Sequence, residues 1–220
     1  MERKRAHMID TVIFENQHGE KFMPYEQYGI YMKSHSISPP KPKLYRYAVE
    51  GADGEIDLSE WSGEVRFEPR EVSISFREMG EEYYHALVQF ALGRMIKVMF
   101  SNDRDYYCYG RCTAIDADTK KRVSDVDMTV VCDAYRLARV PTIVNVNVTG
   151  SGSVVLKARR MTATPTITAS AGCSVTFGGT TYSLPAGAQT VDGIRITDRP
   201  QTMTISGTSN LEIKWTDGVL

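Results

Sequence analysis

Period-two alternation of apolar and polar residues is the feature that most narrows what this chain can fold into. Val144, Val146 and Val148 alternate with Asn145 and Asn147; Cys173, Val175 and Phe177 with Ser174 and Thr176. Met203 and Ile205 alternate with Thr202 and Thr204; Leu211, Ile213 and Trp215 with Glu212 and Lys214. Successive side chains leave opposite faces of a strand, so each segment predicts one face in a core and the other in water. Turn residues separate them: Gly150-Ser151-Gly152, Gly172, Gly178-Gly179, Pro185-Ala186-Gly187, Asp192-Gly193 and Gly207. Gly178-Gly179, between Phe177 and Thr180, fits a two-residue hairpin turn. Many short strands at this spacing predict a β-sandwich over residues 139–220.

Upstream of about residue 140 the composition changes. Most charges, the long aromatics and the one good helix pattern lie there, and Pro141 marks the transition. A boundary within 137–142 is expected, giving domains 1–138 and 139–220. The first reads as α+β. Strand patterns occupy Lys43–Glu50, Glu64–Phe67 and Val72–Arg77, joined by the turn Gly51-Ala52-Asp53-Gly54 and by Pro69. One helix follows, because Tyr84, Leu87, Val88 and Ala91 share a helical face. Glu81 and Glu82 suit its first turn, and Gly93 its C-terminal cap. Ile96, Val98 and Phe100 then alternate with Lys97 and Met99. After the charged turn Ser101–Asp105 come strands at Tyr106–Ile115 and Val123–Asp133, the latter with Val126, Met128, Val130 and Cys132 on one face. The helix should therefore lead into a three-strand meander. Residues 1–33 read as a strand plus an aromatic segment, and Ser38–Lys43, with three prolines, as a stiff connector. The fold class expected is mostly β.

Bulk properties exclude several functions. With 220 residues, 24% charged and 42% hydrophobic, the chain is composed like a folded protein. Its net charge of -1 lacks the basic surplus that phosphate binding calls for, and Arg3, Lys4 and Arg5 read as a solvated terminus. Cys108, Cys112, Cys132 and Cys173 have neither zinc spacing nor a disulfide pattern, and read as reduced, half-buried strand residues. No apolar run reaches the ~18 residues of a membrane helix, and Met8-Ile9-Asp10 breaks any signal-peptide core. Synthesis and retention in a cytoplasm, with release by lysis, are expected.

No chemistry is nominated. Asp103 and Asp105 share a hairpin tip with Asn102 and Arg104, where a polar turn explains them. His85 lies beside Tyr83 and Tyr84 without a nucleophile or orienting partner and reads as a surface or interface residue; His7, His18 and His35 are isolated. Gly150-Ser151-Gly152 lacks the third glycine and following helix of a dinucleotide site. Asn147-Val148-Thr149 is formally a glycosylation sequon but sits in an alternating strand. Tyr107 and Tyr109 share a strand face with Tyr106 opposite, which suits sheet packing or a subunit contact. Catalytic, cofactor-binding and metal-binding residues: none are expected.

The order of elements over residues 29–135 carries a resemblance. A strand ends in Val49-Glu50-Gly51-Ala52-Asp53-Gly54-Glu55-Ile56-Asp57-Leu58-Ser59. Gly63–Phe67, Arg70 and Val72-Ser73-Ile74-Ser75-Phe76 follow, then the helix, then Asp105-Tyr106-Tyr107-Cys108-Tyr109-Gly110-Arg111. The segment closes on Cys132-Asp133-Ala134-Tyr135-Arg136. This resembles the distal tail protein (Dit) family of long, non-contractile-tailed phages and prophages of Gram-positive bacteria, including its Gly-x-Asp-Gly turn, Tyr-x-Gly-Arg strand and Asp-Pro-Tyr ending. Ala134 stands where that family usually has proline, and Ala52 where a basic residue is common.

The resemblance implies a structural, non-enzymatic baseplate protein. Its N-terminal domain would form a six-fold ring at the virion tail tip. Its C-terminal domain would be a galectin-like sandwich pointing outward, closing on Leu211-Glu212-Ile213-Lys214-Trp215-Thr216-Asp217-Gly218. The implied partners are further copies of the chain, the major tail tube protein, a tail-associated hub or lysin protein and, as a further neighbour, a receptor-binding protein. DNA would only pass through the lumen, for which a near-neutral chain is suited. Residues 140–220 leave no room for a long arm or inserted sugar-binding module, so the short form is expected. A carbohydrate-binding adaptor is the alternative; it needs an aromatic platform, and of Phe177, Tyr182 and Trp215 the first and last alternate inward. A cell-wall hydrolase is disfavoured because no acid–base pair is nominated.

Overall fold

The computed structural model describes residues 10–51, 53–61, 63–118 and 122–220. Arg3, Lys4, Arg5, His7, Met8-Ile9 and Ala52 lie outside the described residues. The chain is mostly β and divides into two compact units, Met1–Ala134 and Tyr135–Leu220.

The first unit runs β1 (Val12–Asn16), β2 (Lys21–Phe22), α1 (Pro24–Tyr28), β3 (Met32–Ile37), β4 (Arg46–Ala48), β5 (Glu55–Asp57), β6 (Arg70–Gly80), α2 (Glu81–Ala91), β7 (Met95–Phe100), β8 (Tyr106–Ala117) and β9 (Val123–Cys132). One antiparallel sheet has the order β2-β1-β7-β8-β9-β6-β3, and β4-β5 forms a separate two-stranded sheet. The meander expected after the helix is β7-β8-β9. Alternation puts Ile96, Val98 and Phe100, Cys108 and Cys112, and Val126, Met128, Val130 and Cys132 in one buried core with Val12, Phe14, Val72, Ile74 and Phe76.

The sheet is strongly curled. Phe14 of β1 and Phe76 of β6 meet edge to face with ring centroids 6.3 Å apart. In a flat sheet those strands, four positions apart, would lie roughly 19 Å from each other. His35 of β3 likewise stacks on Phe100 of β7 at 4.2 Å. Register shifts in β3, β6 and β8 supply the bending. In β6 the shift falls between Phe76 and Met79 and puts Glu78 at φ 52, an unusual left-handed conformation for a non-glycine residue. The Asp125 carboxylate accepts the Glu78 N–H at 3.2 Å and so holds that conformation. Leu87 and Ala91 of α2 are buried in the same core, with Tyr84 and Val88 packed against it, as the helical spacing predicts.

Four sequence expectations need correction. Glu64–Phe67 is not a strand. Lys43 N–H bonds Arg66 O and Glu68 N–H bonds Lys41 O, but Pro42 between them has no N–H to continue a ladder, and only a Pro42–Phe67 bridge forms. Lys43–Glu50 contracts to β4, because only Arg46–Ala48 pairs with β5. A second, five-residue helix, α1, precedes the expected one. It starts on Pro24 and ends at Gly29 in the left-handed region, φ 67. Finally, Cys108, Cys112 and Cys132 are fully rather than half buried; only Cys173 is half-buried.

The second unit runs β10 (Arg136–Ala138), β11 (Thr142–Val148), β12 (Ser151–Leu156), β13 (Thr166–Ala169), β14 (Cys173–Phe177), β15 (Thr180–Leu184), β16 (Gly187–Thr190), β17 (Gln201–Ser206), β18 (Ser209–Trp215) and β19 (Gly218–Val219). Two four-stranded sheets, β11-β18-β13-β16 and β12-β17-β14-β15, make a sandwich. Its core holds Ile167, Leu211, Ile213 and Trp215 from one sheet and Val175, Phe177, Met203 and Ile205 from the other. Gly178 and Gly179, at φ 58 and 82, make the tight β14–β15 hairpin. β10 pairs with β19, Arg136 opposite Val219, so the unit's first and last strands tie it shut. Compactness therefore changes before β10, while composition changes after it, near Pro141.

Phe76→Ala should lower unfolding free energy by about 3–5 kcal/mol, measured by chemical denaturation of the full chain. Loss of the Phe14 contact and of curvature makes this the core truncation expected to broaden the β3 and β7 amide resonances together.

Candidate assembly surfaces

The residues that carry the sequence resemblance fall into three places, each with a local physical reason. The first is one end of the curled sheet, where Arg70 and Gly110 both lie opposite Cys132. Arg70 is buried, and its Nε and Nη2 donate to Ala134 O at 2.8 and 2.5 Å. A Cβ on Gly110 would overlap Val131 O and Cys132 Cα, so β8 and β9 close here only over glycine. The next residue, Arg111, donates from Nη1 to Gly93 O at 2.5 Å. Gly93 takes φ 74 and gives its own N–H to Cys112 O at 2.9 Å. It ends α2 as expected, but its N–H bonds the sheet rather than the helix.

The thiols beneath are structural. A hydrogen bond with Cys108, and then burial, raise the Cys132 thiol pKa. Burial pushes Cys112 up to about 11. Both stay protonated at neutral pH and are poor nucleophiles.

The second place is the β4–β5 hairpin. Gly51 and Gly54, at φ 81 and 97, turn the chain. Asp57 Oδ1 accepts the Ser59 N–H at 2.9 Å, and Ser59 Oγ accepts the Tyr45 N–H at 2.9 Å. These bonds clip the open end of the hairpin, which gives the Asp-Leu-Ser sequence its purpose. The hairpin is amphipathic. Arg46 pairs with Asp57 at 3.4 Å on one face. Tyr47 lies opposite Ile56 on the other, with Tyr45 and Leu58 at the next positions of that face. All four of these apolar residues are exposed, Tyr47 by 60%. Trp61, just beyond, is 80% exposed.

The third place is the end of the sandwich. Asp217 is buried. Its Oδ1 accepts Trp215 Nε1–H at 3.1 Å and Arg159 N–H at 2.9 Å, and its Oδ2 accepts the Thr142 hydroxyl at 2.5 Å. A Cβ on Gly218 would lie 2.7 Å from Met161 Cβ. The closing Trp-Thr-Asp-Gly sequence is thus a lock on the sandwich.

The residues weighed for chemistry are scattered. His85 is exposed and sits 3.7 Å from Glu81, its neighbour one turn back. Asp103 N–H bonds Phe100 O at 3.3 Å in the β7–β8 turn. His18 N–H bonds Asn16 Oδ1 in the β1–β2 turn. Tyr107 and Tyr109 share the outer face of β8, where Lys97 Nζ lies 5.6 Å from the Tyr107 ring centroid and 2.6 Å from Glu15 Oε1. Gly150-Ser151-Gly152 carries the chain from one sheet of the sandwich to the other. Among the described residues no group of three or more His, Cys, Asp or Glu is placed to hold a metal ion, and no helix is long and apolar enough to cross a membrane.

Charge is divided unevenly. The first unit has five more acidic than basic residues, the second four more basic than acidic. Residues 44–64 hold six carboxylates and one arginine, which accounts for the first unit's whole excess. The sequence showed a strand pattern over Lys43–Glu50 and the turn after it, but not that an apolar face lies open here.

The fold is Dit-like. The solved structure of the SPP1 Dit (gp 19.1) protein, described as a paradigm of the hub adsorption apparatus in Gram-positive infecting phages, aligns with a TM-score of 0.67. The alignment covers 97% of this chain and 100% of that one at 15% sequence identity. A de novo designed double-stranded β-helix overlaps 36% of the chain with a TM-score of 0.25, too low to bear on the fold. No protein-family profile matches the chain, and no curated protein matches it in sequence.

Two outcomes follow. Gly110→Ala should destabilise the full chain by about 3 kcal/mol, as backbone must move to admit the methyl; thermal denaturation measures it. The Ser59 hydrogen bonds, and then Arg46, hold the Asp57 carboxyl below the usual carboxylate range. A depressed folded pKa stabilises above the unfolded value and ceases to as pH falls. Hairpin order, read from Tyr45 and Tyr47 side-chain resonances, should be full above about pH 5, decline through about pH 3.9 and be lost below the depressed value. Asp57→Asn should abolish that pH dependence.

Proposed function

We propose that this protein is a structural hub at the tip of a phage tail: a hexameric ring joining the tail tube to the tail-tip hub protein and the host-adsorption apparatus. The observation that carries this reading is the end-to-end likeness to SPP1 Dit, spanning both units. The three clusters of resemblance residues add to it, because Arg70, Gly110, Asp57 and Asp217 each have a defined structural task.

In this reading the first unit closes the ring and the sandwich decorates its rim. The partners are other copies of the chain, the tail tube protein, the hub or lysin protein and a receptor-binding protein. The protein acts mechanically rather than as an enzyme. It is made in the cytoplasm of a bacterial host and resides at the virion tail tip, where DNA only passes through the lumen. The net charge of -1 suits a channel that must not hold DNA. Carbohydrate binding by the sandwich is the weaker reading. Phe177 and Trp215 are buried, and Tyr182 places its hydroxyl against Gly193, where a Cβ would overlap it. These aromatics are committed to packing rather than offered as a sugar platform.

Native mass spectrometry and negative-stain microscopy of the full chain, alone and with the tube and hub proteins of its tail, test the proposal. Six-copy rings are expected. A chain that stays monomeric in every mixture contradicts it.

A further inference from the structure

The second unit carries its charge at one end. Residues 140–156 and 161–191, which hold every strand from β11 to β16, contain no charged residue. Glu212 and Lys214 share the exposed face of β18 and cancel. The unit's other charged residues, seven cations and three carboxylates, lie in or beside β10 and in the loops after β12, β16 and β18. Those segments are tied together. Ala158 N–H bonds Thr197 O at 2.9 Å, Arg160 N–H bonds Gly218 O at 3.1 Å, and Ala163 bridges Ile196. Buried Asp217 fixes the first loop by accepting the Arg159 N–H at 2.9 Å.

Burial sorts the residues of the loops after β12 and β16. Ala158, Ile194 and Ile196 belong to the sandwich core, whereas Lys157, Arg159, Arg160, Arg195 and Arg199 are exposed. Asp192 and Asp198 are the two carboxylates of these loops, and Asp198 pairs with Arg160 at 3.3 Å. The balance of the two loops is three positive charges however the pairs are drawn. The whole chain's net charge of -1 conceals this local surplus.

The chemistry of the surface narrows its partner. Four of its five cations are arginines, whose planar forks grip phosphate oxygens in pairs. A protein partner calls for an apolar, charge-depleted centre. The second unit's exposed large hydrophobic residues are Val140, Ile143, Val155 and Leu220, and none lies in these loops. Duplex DNA is stiff over about 500 Å, so it extends far beyond this end and meets a chain of net charge -1. A flexible polyanion can instead follow the local surplus, within a screening length of about 10 Å.

We infer that the loops after β12 and β16 bind a flexible phosphodiester polymer, polyol units alternating with phosphate, displayed on a bacterial surface. Lys157, Arg195 and Arg199 meet its phosphates, and Arg159 and Arg160 complete the basic surface. The inference rests on the tail-tip reading only for the source of the polymer. Fluorescence anisotropy of a labelled glycerol-phosphate oligomer, titrated with the full chain, tests it. Binding is expected, weakening about tenfold or more between about 50 and 200 mM salt as counterions are reclaimed. Lys157→Ser with Arg195→Ser and Arg199→Ser should keep the wild-type far-ultraviolet spectrum and thermal midpoint and bind at least tenfold more weakly. Lys41→Ser with Lys43→Ser, exposed in the first unit, should bind as wild type does. Duplex DNA of equal charge should bind at least tenfold more weakly than the oligomer. Equal binding of the duplex, or undiminished binding by the triple variant, overturns the inference. So does a triple variant that loses the tube or hub protein while the wild type ignores the oligomer, which assigns the surface to an acidic protein. Six-copy rings that do not bind the oligomer overturn the inference and leave the ring reading standing. Binding by a chain that never forms rings supports the surface and removes the ring.

Discussion

Phe14 and Phe76 touch across the inside of a sheet whose strand order sets them four strands apart, and the first unit depends on that contact. Curling brings the apolar faces of β1, β7, β8, β9 and β6 around one core instead of leaving half of it to water. Curvature has local costs, met at named residues: the bulge at Glu78 braced by Asp125, and Gly110, where β8 and β9 close too tightly for a side chain. The end of the β3–β6 pair at Ile37 and Val72 then leads into the segment that carries the β4–β5 hairpin. Core geometry thereby fixes where the surface features stand.

Much of this was legible in the sequence where the signal was periodic and long. The α2 face, the β7-β8-β9 meander and the inward Val126, Met128, Val130 and Cys132 follow from spacing alone, as do inward Phe177 and Trp215 and the Gly178-Gly179 hairpin. Short or non-local features were hidden. Five residues are too few for α1 to show a helical period, although Pro24 and Gly29 marked its ends. Curl depends on which distant strands meet, which no local pattern encodes. The compact second unit begins at Tyr135 because β10 pairs with β19, a contact across the whole unit. The Lys43–Glu50 strand pattern did not show that the hairpin's apolar face would be exposed.

This last mismatch links structure to proposed function. Buried, protonated thiols, turn-bound carboxylates and core-committed aromatics describe a chain whose side chains serve packing and contact. The β4–β5 hairpin differs, with an apolar face left exposed in a segment that carries the first unit's whole acidic excess.

In the proposed function the chain forms the ring at the distal end of a phage tail. Cryo-electron microscopy of intact tails from the phage or induced prophage that encodes it tests this most directly. Six copies are expected in a closed ring between the last tube ring and the tip protein, each fitted by the first unit. Density for this fold elsewhere in the particle, or its absence from complete tails, would contradict it.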